Sequence, residues 1–375
     1  MKIVLTGGGT GGHFYPLIAV AERINDVAAE EKLLKVGLYY FADKEYDKES
    51  LFENGITYMH IGAGKRRLYR SISNFFDIFK TASGVLGALL KLFAVYPDVV
   101  FSKGGYAAFP TVLAARILRI PVVIHESDSI PGRVNLWTAK FAKRIAISYD
   151  EAIEYFPKNK TALTGQPVRK EILKKETQGA FEFLKLDPTI PVILVVGGSL
   201  GAESINNTLL EALPELLAQY QVIHMTGPKN FDDIIGRAGV ILEKNENSGR
   251  YKAFGSLNTL ALKMSAGAAT LVVSRAGSMI FEIAGWGIPS IIIPISRAVS
   301  RDQEANAFNY ARSGACEVIE EVNLTPSILA AEINKLIGNK VRMEQMSKNA
   351  VTFAKGDAAL TIARELISIG LSHES

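Results

Sequence analysis

Short apolar runs of four to six residues alternate with longer segments of helical period along the whole chain. In the first half the runs fall at residues 3–6, 36–41, 97–102 and 122–125, with helical spacing at 15–25, 110–118 and 133–143. In the second half, 192–196, 222–225, 270–274 and 290–293 read as strands, and 206–220, 257–266, 278–286 and 303–313 as helices. Unbroken apolar strands joined by helices predict parallel sheets covered on both faces. Asp357 is a good N-cap for a final helix over 358–369.

Two glycine-rich turns punctuate this pattern. Gly7-Gly8-Gly9-Thr10-Gly11-Gly12-His13 follows the first strand, and Gly197-Gly198-Ser199-Leu200-Gly201-Ala202 follows the strand at 192–196. Glycine lets the backbone approach a ligand closely, and the helix start behind each turn presents unpaired N–H groups with a partial positive charge. Two such turns predict two α/β domains, each with a phosphate site, and suggest a diphosphate donor and a diphosphate acceptor. The segment Thr164-Gly165-Gln166-Pro167-Val168-Arg169 lacks periodicity and carries a turn glycine and a proline, so a domain boundary is expected there. Ligands of such sheets bind at the carboxyl ends of the strands, and the cleft between two domains is the expected active site.

At 375 residues and 48% hydrophobic composition, the chain can fill two cores of ordinary size. A net charge of +4 is too small to argue for nucleic acid. The single cysteine, Cys316, precludes an intramolecular disulfide and fits a reducing cytosol. No charged and apolar leader precedes the first strand, so a secretory signal is not expected, and no apolar run is long enough for a spanning helix.

Gly7, Gly9 and Gly12 fit G-x-G-x-x-G, but a dinucleotide site also wants an acid about 20 residues on. Asp43 is the nearest and lies farther off, which disfavours a dehydrogenase. There is no G-x-x-x-x-G-K-[ST], no Cys/His cluster with metal-ligand spacing and no Asp-x-Asp pair, so neither a P-loop kinase nor a divalent metal is called for. His13, at the mouth of the first turn, can take a proton from a substrate hydroxyl or merely cap the helix. His125 ends a buried strand and opens His125-Glu126-Ser127-Asp128, where a site role competes with a structural hydrogen bond. Ser274-Arg275-Ala276-Gly277-Ser278 forms another anion-binding helix start. One turn on, Glu282 can accept both hydroxyls of a ribose or simply favour the helix dipole. Asp302 and Gln303 offer a carboxylate and an amide for the hydroxyls of a sugar, or an ordinary acidic helix start.

Taken in order, these residues resemble the MurG family of UDP-N-acetylglucosamine transferases. The match includes Gly8-Gly9-Thr10-Gly11-Gly12-His13 with Pro16, Gly104-Gly105-Tyr106, His125-Glu126, Pro131-Gly132 and Gly165-Gln166-Pro167-Val168-Arg169. It continues through Gly197-Gly198-Ser199, Ser274-Arg275-Ala276-Gly277 and Gln303 with Asn306-Ala307, and so runs from residue 1 to about 370. The resemblance implies a GT-B fold of two Rossmann-like, doubly wound parallel-sheet domains facing a cleft. It implies an acceptor and membrane-associating domain over residues 1–163 with 357–375, and a UDP-sugar domain over 164–356. The implied reaction is inverting transfer of N-acetylglucosamine from UDP to lipid I, muramyl-pentapeptide on undecaprenyl diphosphate, giving lipid II for peptidoglycan. Alternatives on the same architecture are a diacylglycerol glycosyltransferase or a UDP-N-acetylglucosamine 2-epimerase. Carried over by position, His13 is the base, and Thr10, Gly11, Gly12, Tyr106, Glu126 and Asp128 lie near the acceptor. Arg169, Ser199, Gly255, Ser278, Met279, Glu282, Asp302 and Gln303 would bind the donor, with no tightly bound cofactor. Asp128 and Leu200 depart from the family's usual Asn and Gln, and the segment from Arg275 to Glu282 is one residue shorter than in many members.

A lipid-linked acceptor implies a peripheral protein on the cytoplasmic face of the membrane, with cell-wall synthesis proteins as possible partners. Lys65, Arg66, Arg67 and Arg70 form an acid-free basic stretch suited to anionic headgroups. Phe75, Phe76, Phe79, Val85, Leu86, Leu89, Leu90 and Phe93 follow at helical spacing. Most of that helix is expected to face the core, with only its start touching lipid.

Overall fold

The computed structural model describes residues 1–8, 10–33, 36–64, 73–197, 202–296, 300 and 302–372, with backbone alone for 73–76 and 78. The chain divides into two compact units, Met1–Arg169 with Gly356–Ser375, and Lys170–Lys355.

The first unit is built on seven strands: β1 (Lys2–Thr6), β2 (Gly37–Ala42), β3 (Ile56–His60), β4 (Val99–Ser102), β5 (Val122–Glu126), β6 (Arg144–Ile147) and β7 (Thr161–Leu163). Their spatial order is β3-β2-β1-β4-β5-β6-β7, and every pairing is parallel. Alternate residues of β1 serve opposite faces. Ile3 and Leu5 pack with Phe14, Leu17 and Ile18 of the helix Gly11–Glu30 and with Ile362 and Leu366 of the helix Ala358–Leu371. Val4 joins Ala88 and Leu92 of the helix Ser73–Val95 and Val112 of the helix Phe109–Ile117. Both faces are dry, which is why the strand reads as an unbroken apolar run.

The second unit repeats this plan with β8 (Val192–Val196), β9 (Gln221–Met225), β10 (Tyr251–Phe254), β11 (Leu271–Ser274), β12 (Ser290–Ile292) and β13 (Cys316–Val318). The order is β10-β9-β8-β11-β12-β13, again all parallel. In each sheet the winding reverses beside the first strand, between β1 and β4 and between β8 and β11. That reversal opens a crevice at the carboxyl ends of the strands, where the glycine turns leave.

Two expectations change. The helix expected over 133–143 ends at Thr138, because the chain turns back there and Lys143 N–H is captured by the Val122 carbonyl at 2.8 Å to start β6. The helix Ser73–Val95 is not mostly core. Ala88, Leu92 and Val95 are buried, but Phe79, Leu86, Leu90 and Phe93 are 60–73% exposed. Their spacing places them on one solvent-facing stripe.

Candidate functional site

In the first unit, Thr10 is extended at the helix N-cap, and its carbonyl accepts from the backbone N–H of His13 (3.1 Å) and Phe14 (3.2 Å). Its Oγ1 lies 3.0 Å from His13 Nδ1. When Nδ1–H donates to that hydroxyl, Nε2 carries the lone pair that a base requires. The turn after β4 lies against the same ring. A Cβ on Gly105, whose φ is +77°, would fall 3.4 Å from His13 Nε2 and 3.3 Å from the Gly8 carbonyl oxygen. Glycine is therefore the residue that lets this turn reach the imidazole without strain.

Tyr106 follows, and its hydroxyl donates to Asp43 Oδ2 at 3.1 Å. Burial and the Asp43 carboxylate push its pKa up to about 12, so it stays a donor at neutral pH. Tyr40 donates to the Gly7 carbonyl at 2.9 Å and pins the start of the glycine turn. The Arg169 guanidinium stacks over the Tyr15 ring, 4.3 Å from its centroid, two residues beyond His13.

At the end of β5, His125 is fully buried. Its Nε2–H donates to the Gly165 carbonyl at 2.9 Å, and Nδ1 accepts from Lys103 Nζ at 2.6 Å. Burial and the adjacent ammonium hold its pKa well below the usual value. His125 is thus a neutral spacer tying the 164–169 segment to the sheet. Burial pulls the Lys103 ammonium down to about 7, while Glu126 and Asp128 favour its charge. Glu126 accepts from the backbone N–H of Ser127 (2.8 Å), Asp128 (3.1 Å) and Gly132 (3.0 Å) and from Asn135 Nδ2 (3.0 Å). Burial pushes its carboxyl up, against these donors. Both of its oxygens are engaged in shaping the loop that carries Asp128.

In the second unit, Gly197 leaves β8, and Ser199 lies outside the described residues, as do Lys65, Arg66, Arg67 and Arg70. The turn after β11 leads to the helix Met279–Trp286, which brings Ser278, Met279 and Glu282 to one helix start, all partly exposed. Asn306 Nδ2 donates to the Ala276 carbonyl at 3.2 Å and ties the helix Gln303–Arg312 to the same turn. Asp302 stands at the N-cap position of that helix, where its carboxylate accepts from Ser300 Oγ at 2.6 Å and not from a helix N–H, and Gln303 Oε1 accepts from Ile295 N–H at 3.2 Å. Gly255 follows β10 and lies against Phe231 and Pro228. Arg275 is buried and pairs with Glu321 at 2.5 Å, while its other arm donates to the Ile293 carbonyl at 3.1 Å. Glu321 also accepts from Ser204 Oγ (2.5 Å) and Ser296 N–H (3.3 Å). Burial would raise its pKa, but Ser204 and Arg275 prevail and lower it.

Both sets of elements match known domains. The family model for the glycosyltransferase family 28 N-terminal domain matches residues 3–147, and that for the family 28 C-terminal domain matches residues 192–362. The chain belongs to glycosyltransferase family 28. It is 35% identical over 374 residues to UDP-N-acetylglucosamine--N-acetylmuramyl-(pentapeptide) pyrophosphoryl-undecaprenol N-acetylglucosamine transferase 2 of Bacillus cereus, covering 98% of this chain and 99% of that protein. The transferase of that name from Shouchella clausii is 37% identical over 356 residues, or 94% of this chain and 96% of that one. Among solved structures, Acinetobacter baumannii MurG gives a TM-score of 0.72 at 24% identity, covering 98% and 99% of the two chains. UDP-GlcNAc 2-epimerase from Neisseria meningitidis gives 0.68 at 16%, covering 98% of each. These structural likenesses show the shared fold, GT-B.

Spacing along this family 28 chain pointed to His13 and to the turns, but not to their supports. Lys103 carries no signal of its own in the sequence, and Asp43 stands out only as an acid too distant for a dinucleotide site. The partner of Asp43, Tyr106, is 63 residues away in sequence, so no local pattern carries the pairing. The Arg275–Glu321 pair spans 46 residues and was likewise invisible.

Proposed function

We propose that the chain transfers N-acetylglucosamine from UDP-N-acetylglucosamine to the 4-hydroxyl of undecaprenyl-diphosphate-linked N-acetylmuramyl-pentapeptide, turning lipid I into lipid II. One observation carries the reading: transferases named for that reaction match across both domains, at 35% identity over 98% of the chain. The epimerase reading rests on fold alone. In the proposed step the acceptor oxygen attacks the anomeric carbon, and the bond to UDP breaks with its electron pair leaving on the diphosphate. The hydroxyl proton passes to His13 Nε2, and the anomeric centre inverts.

Residues 1–169 with 356–375 take the acceptor in this reading, with Thr10, Gly11, Gly12, Tyr106 and Asp128 nearest to it and Glu126 shaping the loop. Residues 170–355 hold the donor, with Glu282 on the ribose, Asp302 and Gln303 on the sugar, Gly255 by the base, and Ser199, Ser278 and Met279 by the diphosphate. Helix starts and Arg169 supply positive potential to the leaving group, so the reading calls for no divalent ion. Labelled UDP-N-acetylglucosamine offered with a lipid I analogue tests it. His13→Ala should lower transfer about 10²- to 10⁴-fold with UDP affinity unchanged. Donor turnover without any acceptor, or undiminished transfer by the variant, would overturn it.

The protein works at the cytoplasmic face of the membrane in this proposal, as a peripheral protein. No helix among the described residues is long and apolar enough to cross a membrane. The exposed stripe of Phe79, Leu86, Leu90 and Phe93 lies beyond the basic stretch in sequence, with residues 71–78 between them, and suits an anionic interface. Replacing these four residues by serine should weaken binding to anionic vesicles about tenfold or more, with little change in thermal stability. Unaltered vesicle binding would remove the stripe from the interface.

A further inference from the structure

Lys103 is 2% exposed and takes no part in the chemistry proposed above. Enclosing an ammonium is costly unless it is both hydrogen-bonded and neutralised. Its three N–H groups meet His125 Nδ1 at 2.6 Å, Ser127 Oγ, and Gln166 Oε1 at 3.5 Å. All three partners are uncharged, so they solvate the cation without cancelling it. The cancelling charge comes from Glu126 and Asp128, on either side of Ser127. Four neutral donors fix Glu126 in place without cancelling its charge, so the ammonium faces two carboxylates, one on each side of the hydroxyl it grips. The lysine backbone, in turn, lies directly behind the first glycine turn. Its N–H donates to the Thr6 carbonyl at 2.9 Å, and a Cβ on Gly7 would come within 2.9 Å of Lys103 Cβ. One side chain therefore runs from the turn after β1 to the loop after β5.

We infer that Lys103 is a positioning residue for acceptor use: its ammonium grips Ser127 between the Glu126 and Asp128 carboxylates, fixing the 126–132 loop relative to the His13 turn. This rests on the reading that the first unit takes the lipid-linked acceptor. Lys103→Met should lower kcat/KM for a lipid I analogue about tenfold or more, with the KM for UDP-N-acetylglucosamine within about twofold of wild type. Adding Asp128→Asn to Lys103→Met should recover part of that loss, since one of the two carboxylates that the ammonium offsets is then gone. A double variant no better than the product of the two single effects would overturn the charge balance. A rise in the KM for UDP-N-acetylglucosamine equal to that for the acceptor would overturn the assignment to acceptor use.

Hydrogen exchange at the Ser127, Asp128 and Gly132 amides reads the loop without any substrate. Exchange should quicken about tenfold in Lys103→Met and slow again in the double variant. Unchanged protection would overturn the inference even if transfer fell. Wild type that leaves lipid I untouched would instead overturn the function, and the exchange rates would still decide whether Lys103 holds the loop. Should Lys103→Met not fold, Ser127→Ala removes the gripped hydroxyl alone and should quicken the same amides.

Discussion

His125 and His224 are both buried in inner strands, one in each sheet, and their surroundings differ in kind. His125 is flanked by the Lys103 ammonium and the Glu126 carboxylate. His224 lies in a neutral net, with Nδ1 2.8 Å from the Tyr251 hydroxyl and Nε2 2.9 Å from Asn206 Oδ1. The second unit places its enclosed charge elsewhere, in the Arg275–Glu321 pair after β11. The same strand order thus fastens its carboxyl-end loops in two ways. The first unit uses one cation bonded to neutral groups, with its balancing carboxylates on the loop it holds. The second uses a direct ion pair bridging the turn after β11, the first turn of the helix Glu203–Leu216 and the backbone at Ser296.

The sharpest way to break this contrast is Arg275→Met. It leaves Glu321 without its partner and should destabilise the second unit by about 3 kcal/mol, the low end of the range because the carboxylate keeps some contact with water. Urea unfolding followed by a probe in residues 170–355 measures it. Adding Glu321→Leu should restore most of the loss, and a lone Arg275→Met without effect would mean that the pair fastens nothing. Next in size, Glu282→Ala should raise the KM for UDP-N-acetylglucosamine about tenfold or more while sparing acceptor KM. Steady-state kinetics with each substrate varied would expose any mixing of the two roles.

A third expectation concerns pH, and its size per pH unit is modest. Burial depresses the His224 pKa from 6.5 to about 3. Between those values the unfolded chain binds a proton that the folded unit refuses. Stability of the second unit should therefore fall as pH drops through this window, by at most about 1.4 kcal/mol per pH unit from this group. His224→Gln should flatten the slope seen in acid titration of the unfolding midpoint, and an unchanged slope would assign the acid sensitivity to other groups.

The central strands were legible because burial on both faces writes itself as an apolar run, as in Val192–Val196. The Asp357 cap was legible because it is local: its carboxylate accepts from Leu360 N–H at 3.0 Å. Edge strands such as Ile56–His60 and Tyr251–Phe254 were not, since half-exposed strands mix polar and apolar residues. The outer stripe of the helix Ser73–Val95 misled for the opposite reason. Apolar residues on all sides read as core, and composition does not say which face lacks a cover. Of the candidate site, His13 and Glu282 stood out by their place after strand ends, and Tyr106 only through the family resemblance. Lys103 did not, because its role exists only once β4 and β5 lie side by side.

The helix Ala358–Leu371 packs on the helix Gly11–Glu30 and lends Ile362, Leu366 and Ile369 to the core around Ile3 and Leu5. Those residues leave the ribosome only after the whole of Lys170–Lys355 has been made. The half translated first must wait, one wall of its interior missing, while the half translated second has every strand it needs to finish. A released chain that ends at residue 355 should accordingly hold a settled second unit and a first unit still open to protease, an inversion of the usual order of maturation.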